Sequence, residues 1–340
     1  MGNSRWDNDD WKSYSATTKG KATEKIFDSV EMKKNLNPLH IKVRESRDSK
    51  ANPNSTPIIL ALDVTGSMGE IAGELARTGL GKLIEGILDR KPVTDPHIMV
   101  MGVGDVSAGD QAPLQASQFE ADIKIAKQLK EIYLEGAGGR LGEGESYTLP
   151  WYFAAKKTEI DCVNHGRKGI LFTFGDEECN KELTVEQLRK VFGKGPQENL
   201  SAAQLLKMVS EKYEVFHVVV EQGDYAQGHL DKVYKSWNSV LPPDRIISLK
   251  DYKKMPEVLL SVMDVYAGKP KADVIASWQG ATQDVVKEGI KNVKAGSDAV
   301  IPVMNPIKLK TDLANTDPAA SPANDDKTAA PKKITLNFGK

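Results

Sequence analysis

Pro57-Ile58-Ile59-Leu60-Ala61-Leu62-Asp63-Val64-Thr65-Gly66-Ser67-Met68 carries the clearest signature of the fold. Six residues run to an aspartate with no polar side chain among them. A half-exposed strand would alternate apolar and polar residues; an unbroken run suits a strand covered on both faces, as in a parallel sheet. Working outward, four more runs have the same character: His97 to Val103, Ile170 to Phe174, Val215 to Val220, and the shorter Ile246 to Leu249. Helical spacing fills the gaps. Met68, Ile71, Ala72, Leu75, Leu80, Leu83, Ile84 and Ile87 follow the first run, and Ile123 to Ile132 and Trp151 to Ala155 precede the third. Ala202, Leu205, Leu206, Val209 and Tyr213 mark another helix, Val258 to Tyr266 the next, and Val274 through Val293 a last one. Strands alternating with helices predict an α/β fold, a doubly wound and mainly parallel sheet with helices on both faces.

The organisation expected is a polar N-terminal arm over 1–54, one α/β domain with a C-terminal helical extension over 55–294, and a disordered linker over 295–340. The fold is thus flanked by extended or disordered tails. The arm carries Trp6, Trp11 and Tyr14, which either dock on the domain or bind a partner. The linker is rich in Ala, Pro, Asp and Lys with little to bury. It ends in Ile334-Thr335-Leu336-Asn337-Phe338, a frayed tail or a short strand for the edge of another sheet.

The chain has 340 residues with 46 basic and 47 acidic side chains, a formal net charge of −1. Nothing here points to nucleic acid or an anionic membrane. No apolar run approaches the roughly 18 residues of a membrane span, and the N-terminus lacks the apolar core of a secretory signal. The two cysteines, Cys162 and Cys179, read as reduced thiols. A cytoplasmic location is expected. The five scattered histidines make no zinc motif.

Ligands of doubly wound sheets bind beyond the carboxyl ends of the strands, so the loops there matter most. Asp63, Thr65 and Ser67 stand at i, i+2 and i+4 after the first strand. Ser67 with Glu70 reads as a capping box. A cap needs one oxygen, however, and this turn offers three, a set suited to a hard divalent cation. A glycine-rich loop, Gly136 to Gly144, leads into Glu145-Ser146-Tyr147-Thr148, where Ser146 or Thr148 offers a further hydroxyl and Glu145 a carboxylate. Neither this loop nor Gly79-Leu80-Gly81-Lys82 fits a phosphate-binding pattern. Gly175-Asp176-Glu177-Glu178 follows the third apolar run. Acids there can complement a helix dipole, yet Asp176 ends its strand at the same depth as Asp63.

Asp63-x-Thr65-x-Ser67 after an apolar strand resembles the metal-ion-dependent adhesion site of von Willebrand factor A domains, and the resemblance spans roughly residues 57–266. It implies a metal set of Asp63, Thr65, Ser67, Ser146 and Asp176, with Glu145, Thr148 and Glu177 as accessory candidates. The second loop lacks a clear GGT, and the third reads FGDEE where many members have TDG. The implied arrangement places the hydroxyls of Thr65, Ser67 and Ser146 on the ion, with Asp63 and Asp176 acting through water. Such an ion, Mg²⁺ first with Mn²⁺ or Ca²⁺ as alternatives, keeps charge to grip a carboxylate on a protein partner. The resemblance further implies, as that partner, an AAA+ ATPase or its substrate.

The function expected is therefore binding, without catalysis. A phosphatase of the haloacid dehalogenase type needs a second aspartate where Thr65 stands, and no GxSxG elbow occurs. The alternative is a metal-free structural subunit that interacts through its tails.

Overall fold

The computed structural model describes residues 6–27, 29–135 and 145–296, apart from the side chains of Asn8 and Ser67. Six strands form the central sheet: β1 Thr56–Asp63, β2 Pro96–Val103, β3 Leu114–Ala116, β4 Gly169–Gly175, β5 Tyr213–Val220 and β6 Ile246–Leu249. Their order is β6-β5-β4-β1-β2-β3. All neighbours are parallel except β2 and β3. From β1 the chain winds one way to β2 and the other way to β4. That reversal makes the carboxyl ends of β1 and β4 the topological switch point, the usual ligand crevice of such sheets.

Every residue of β1 is buried, and alternate side chains serve opposite faces. Ile58, Leu60 and Leu62 join one apolar core, and Ile59 and Ala61 the other. The first core is covered by α1 Asn8–Thr18, α2 Gly69–Glu74, α3 Leu80–Arg90, α4 Lys124–Lys130, and, further along the chain, α9 Met255–Tyr266, α10 Lys271–Ala276 and α11 Gly280–Gly289. The second is covered by α5 Leu149–Lys157, α6 Val185–Phe192, α7 Ala202–Val209 and α8 Asp224–Asn238. The sheet is doubly wound, as its apolar runs predict. The described residues all fall in one compact unit, Met1–Val303, and the expected C-terminal strand lies outside them.

Several elements depart from the expectation. The helical pattern after β1 is interrupted by a π turn at Leu75–Gly79, which accounts for the five-residue step from Leu75 to Leu80. Tyr213 opens β5 instead of closing α7, which stops at Val209. The stretch from Val274 to Val293 is two helices, broken where Gly280 takes a positive φ of 55°. Strand β3 is only three residues long and gave no apolar run. Helix α6 is announced by a capping box of Thr184 and Gln187. Within the N-terminal arm, α1 buries Trp11 to 1% exposure, and Arg44–Ser46 pairs in parallel with Thr158–Ile160.

Candidate metal centre

The switch point gathers acids. Asp63 is the last residue of β1, and its side chain folds back to accept hydrogen bonds from the Thr65 amide at 2.9 Å and the Thr65 hydroxyl at 2.7 Å. This is the local turn that aspartate favours. Gly66, at a φ of 43°, then lets the chain reverse into the 3₁₀ turn Gly66–Met68. The other carboxylate oxygen of Asp63 accepts from the Tyr147 hydroxyl at 2.8 Å. Tyr147 reaches it by crossing the end of β4: a Cβ on Gly175 would lie 2.2 Å from the tyrosine ring. Glycine is what leaves room for that path.

Glu145 joins from the segment before α5. The Thr65 hydroxyl lies 3.2 Å from its Oε1, while its buried Oε2 has no hydrogen-bond partner among the described residues. A hydroxyl carries one proton, and the shorter contact gives it to Asp63. Glu145 must therefore bring a proton of its own, or a cation must replace it. Burial first, then the charges of Asp63, Asp105, Glu177 and Asp110, pushes the Glu145 carboxyl up to about 10. Burial pushes Asp63 up to about 7; the hydrogen bonds from Thr65 and Tyr147 oppose the shift and the charge of Asp176 adds to it. The charged neighbours that set both groups are all acids.

Asp176 also stands above its usual range through burial, opposed by the amides of Tyr225 and Ala226. Its Oδ2 accepts from Tyr225 N at 2.9 Å, so it caps the start of α8 as well as bordering the cluster. Asp63, Thr65 and Glu145 thus share one buried corner, and Asp176 borders it closely enough for its charge to act on Asp63. The backbone of Ser67 lies in the 3₁₀ turn; its side chain and the loop 136–144 lie outside the described residues.

Ser146 is engaged elsewhere. It precedes α5 by three residues instead of beginning it, and its hydroxyl pairs with Asp105 at 3.2 Å and the Val106 amide at 3.0 Å. Glu145, expected only as an accessory, is the residue of this loop that touches Thr65. Thr148 is turned to the Asn180 side chain at 2.6 Å. The Glu177 backbone accepts from the Trp237 indole, and Glu178 accepts from the Tyr225 hydroxyl. Glu70 pairs with Arg77, and the expected capping box rests on the Ser67 side chain, outside the described residues.

Two residues escaped the sequence reading. Asp105 follows β2 after one glycine, much as Asp63 ends β1, and that signal was open to inspection. It accepts from the amides of Ser107 and Ala108. Tyr147 had no signal, since a loop tyrosine is ordinarily filler. Among the described residues, no three His, Cys, Asp or Glu side chains converge as a metal-holding group. The donor set is instead a mixture of carboxylates and a hydroxyl, whose orphaned Glu145 oxygen and unbalanced acids fit a hard cation.

No known protein family matches the chain by sequence, and no curated protein matches it. Among solved structures, the pilus adhesin SpaC from Lactobacillus rhamnosus GG in its open conformation aligns with a TM-score of 0.40 and 12% identity. That alignment covers 69% of this chain and 31% of the adhesin. Another form of the same adhesin gives 0.42 and 10%, over 66% and 32%. The chain spans about a third of the length of the adhesin chains it matches.

Proposed function

We propose that this chain is a protein-binding module of the von Willebrand factor A type, in which a divalent cation at the β1–β4 switch point grips an acidic group on a protein partner. The observation that carries the reading is Glu145: a buried carboxyl with an orphaned oxygen, surrounded by acids and hydrogen-bonded to the threonine of a DxTxS turn. A proton holds that place when no cation does. Asp63, Thr65, Glu145 and Asp176 would hold the ion, with Ser67 from the same turn; Ser146 acts one step away by fixing Asp105. When bound, a hard cation such as Mg²⁺, Mn²⁺ or Ca²⁺ supplies the positive charge that lets these carboxyls ionise together and that attracts an outside carboxylate. The chain's own work is to orient: Tyr147 and Thr65 fix both oxygens of Asp63. An AAA+ ATPase or its substrate remains the partner class the resemblance implies. Two buried thiols, Cys162 and Cys179, support a reducing, cytoplasmic setting. Among the described residues no helix is long and apolar enough to cross a membrane.

A metal-free structural role is the second reading. It is favoured by the complete internal hydrogen bonding of Asp63. Thermal melting decides between them. The binding reading predicts a melting temperature that rises when Mg²⁺, Mn²⁺ or Ca²⁺ follows EDTA, and no such rise in Asp63→Ala. A wild-type curve indifferent to every divalent ion leaves the structural role.

A further inference from the structure

We propose that a second surface, a lysine-rimmed groove at the C-terminal ends of α5 and α6, takes an acidic peptide segment that carries a large apolar side chain. The groove is about 920 Å³ in volume, within the size range of ligand sites. Its floor is apolar and preformed: Tyr152 and Phe192 lie against each other with ring centroids 4.8 Å apart, beside Ile41. Its lining includes Lys42, Lys156, Lys157 and Lys194 and not one acid, in a chain whose net charge is −1.

Four lysines without a carboxylate need a reason. Lys156 and Lys157 complement the carbonyl end of α5, and Lys157 is tied to the Ile41 carbonyl at 2.7 Å. Lys42 and Lys194 lie outside α5, arrive from other segments and border the same groove. Lys42, Lys156 and Lys194 are exposed. Among the described residues, none of their ammonium groups is held by an ion pair or side-chain hydrogen bond. Leu39, 46% exposed and one of three exposed large apolar side chains among the described residues, stands at the rim. An apolar floor asks for an apolar side chain, and an unopposed cationic rim asks for acids around it. Nucleic acid fits less well, because the two floor rings pack on each other and are buried, leaving no open platform for bases. Asp63, Thr65, Glu145 and Asp176 do not line the groove, so it does not depend on the metal reading.

The test is fluorescence anisotropy on the full chain in EDTA, which silences cation-dependent capture. The probe is a fluorescein-labelled peptide of sequence EEDLFEE, with KKKLFKK and EEDSSEE as controls. The expected result is saturable binding of the first peptide alone, weakened by salt. Lys156→Glu/Lys194→Glu should weaken it at least about tenfold, a modest effect for two reversed rim charges. Both positions are exposed, so circular dichroism should match the wild type. Equal affinity of wild type and double variant overturns the proposal. So does a preference for a 20-nucleotide single-stranded DNA or for phosphatidylserine vesicles over the peptide.

Discussion

A single proton connects Asp63, Thr65 and Glu145. Thr65 has one hydrogen to give and two carboxyls facing it, so the unpaired demand falls on Glu145. The sign of the resulting pH dependence follows. Asp63 rises from its ordinary 3.8 to about 7, and Glu145 from 4.5 to about 10. An acid whose folded pKa lies above its unfolded one keeps a proton in the folded chain after the unfolded chain has lost it. Stability therefore falls as pH climbs from the unfolded range through 7 and beyond. In EDTA, the melting temperature should drop between pH 5 and pH 8, and Glu145→Gln should flatten that drop. A wild-type curve that is level across this window, or a variant that falls as steeply, would contradict the assignment. Much of this corner was legible. Asp63 and Asp176 stand where apolar runs stop, and Thr65 follows two residues on. The part played by Glu145 was not, because its partner is 80 residues away in sequence and the intervening glycines give no register.

Elements bring those residues together through close approach. Gly175 ends β4 under the ring of Tyr147, and an alanine there would clash with it at 2.2 Å. Gly175→Ala should destabilise by about 1–3 kcal/mol, as overpacking does, and should abolish the cation-dependent rise in melting temperature along with it. Chemical denaturation with and without Mg²⁺ checks both. A second junction lies where α1 meets the helix after β1. The π turn Leu75–Gly79 leaves that helix's ladder irregular. Its Ala76 and Arg77 carbonyls accept the hydroxyls of Tyr14 and Thr18, each at 2.8 Å. Trp11 lies over Gly81, where a Cβ would sit 3.3 Å from its ring. Trp11→Ala should cost about 3–5 kcal/mol and Tyr14→Phe about 1 kcal/mol, read from urea unfolding. Changes below 0.5 kcal/mol for Trp11→Ala would mean that α1 does not stay docked. The sequence showed these aromatics but not their seat. A π turn appears only as a five-residue step in an otherwise helical pattern, and α1 has too weak an apolar stripe to announce itself.

At the scale of the molecule, the five apolar runs became the five parallel strands, because a strand buried on both faces has no polar register to obscure it. The switch point was harder to place. It depends on β4 lying beside β1 and not beside β2, a matter of strand order that periodicity does not encode. The tail beyond residue 314 has little to bury, so its deletion should move the melting temperature by no more than a degree or two; a large fall would make it a packed element. The most direct measurement is anomalous diffraction from crystals soaked in Mn²⁺. A peak is expected among Asp63, Thr65, Glu145 and Asp176, absent in Asp63→Ala crystals. A wild-type map with no peak in that corner, at a Mn²⁺ concentration that saturates ordinary hard-oxygen sites, would contradict it.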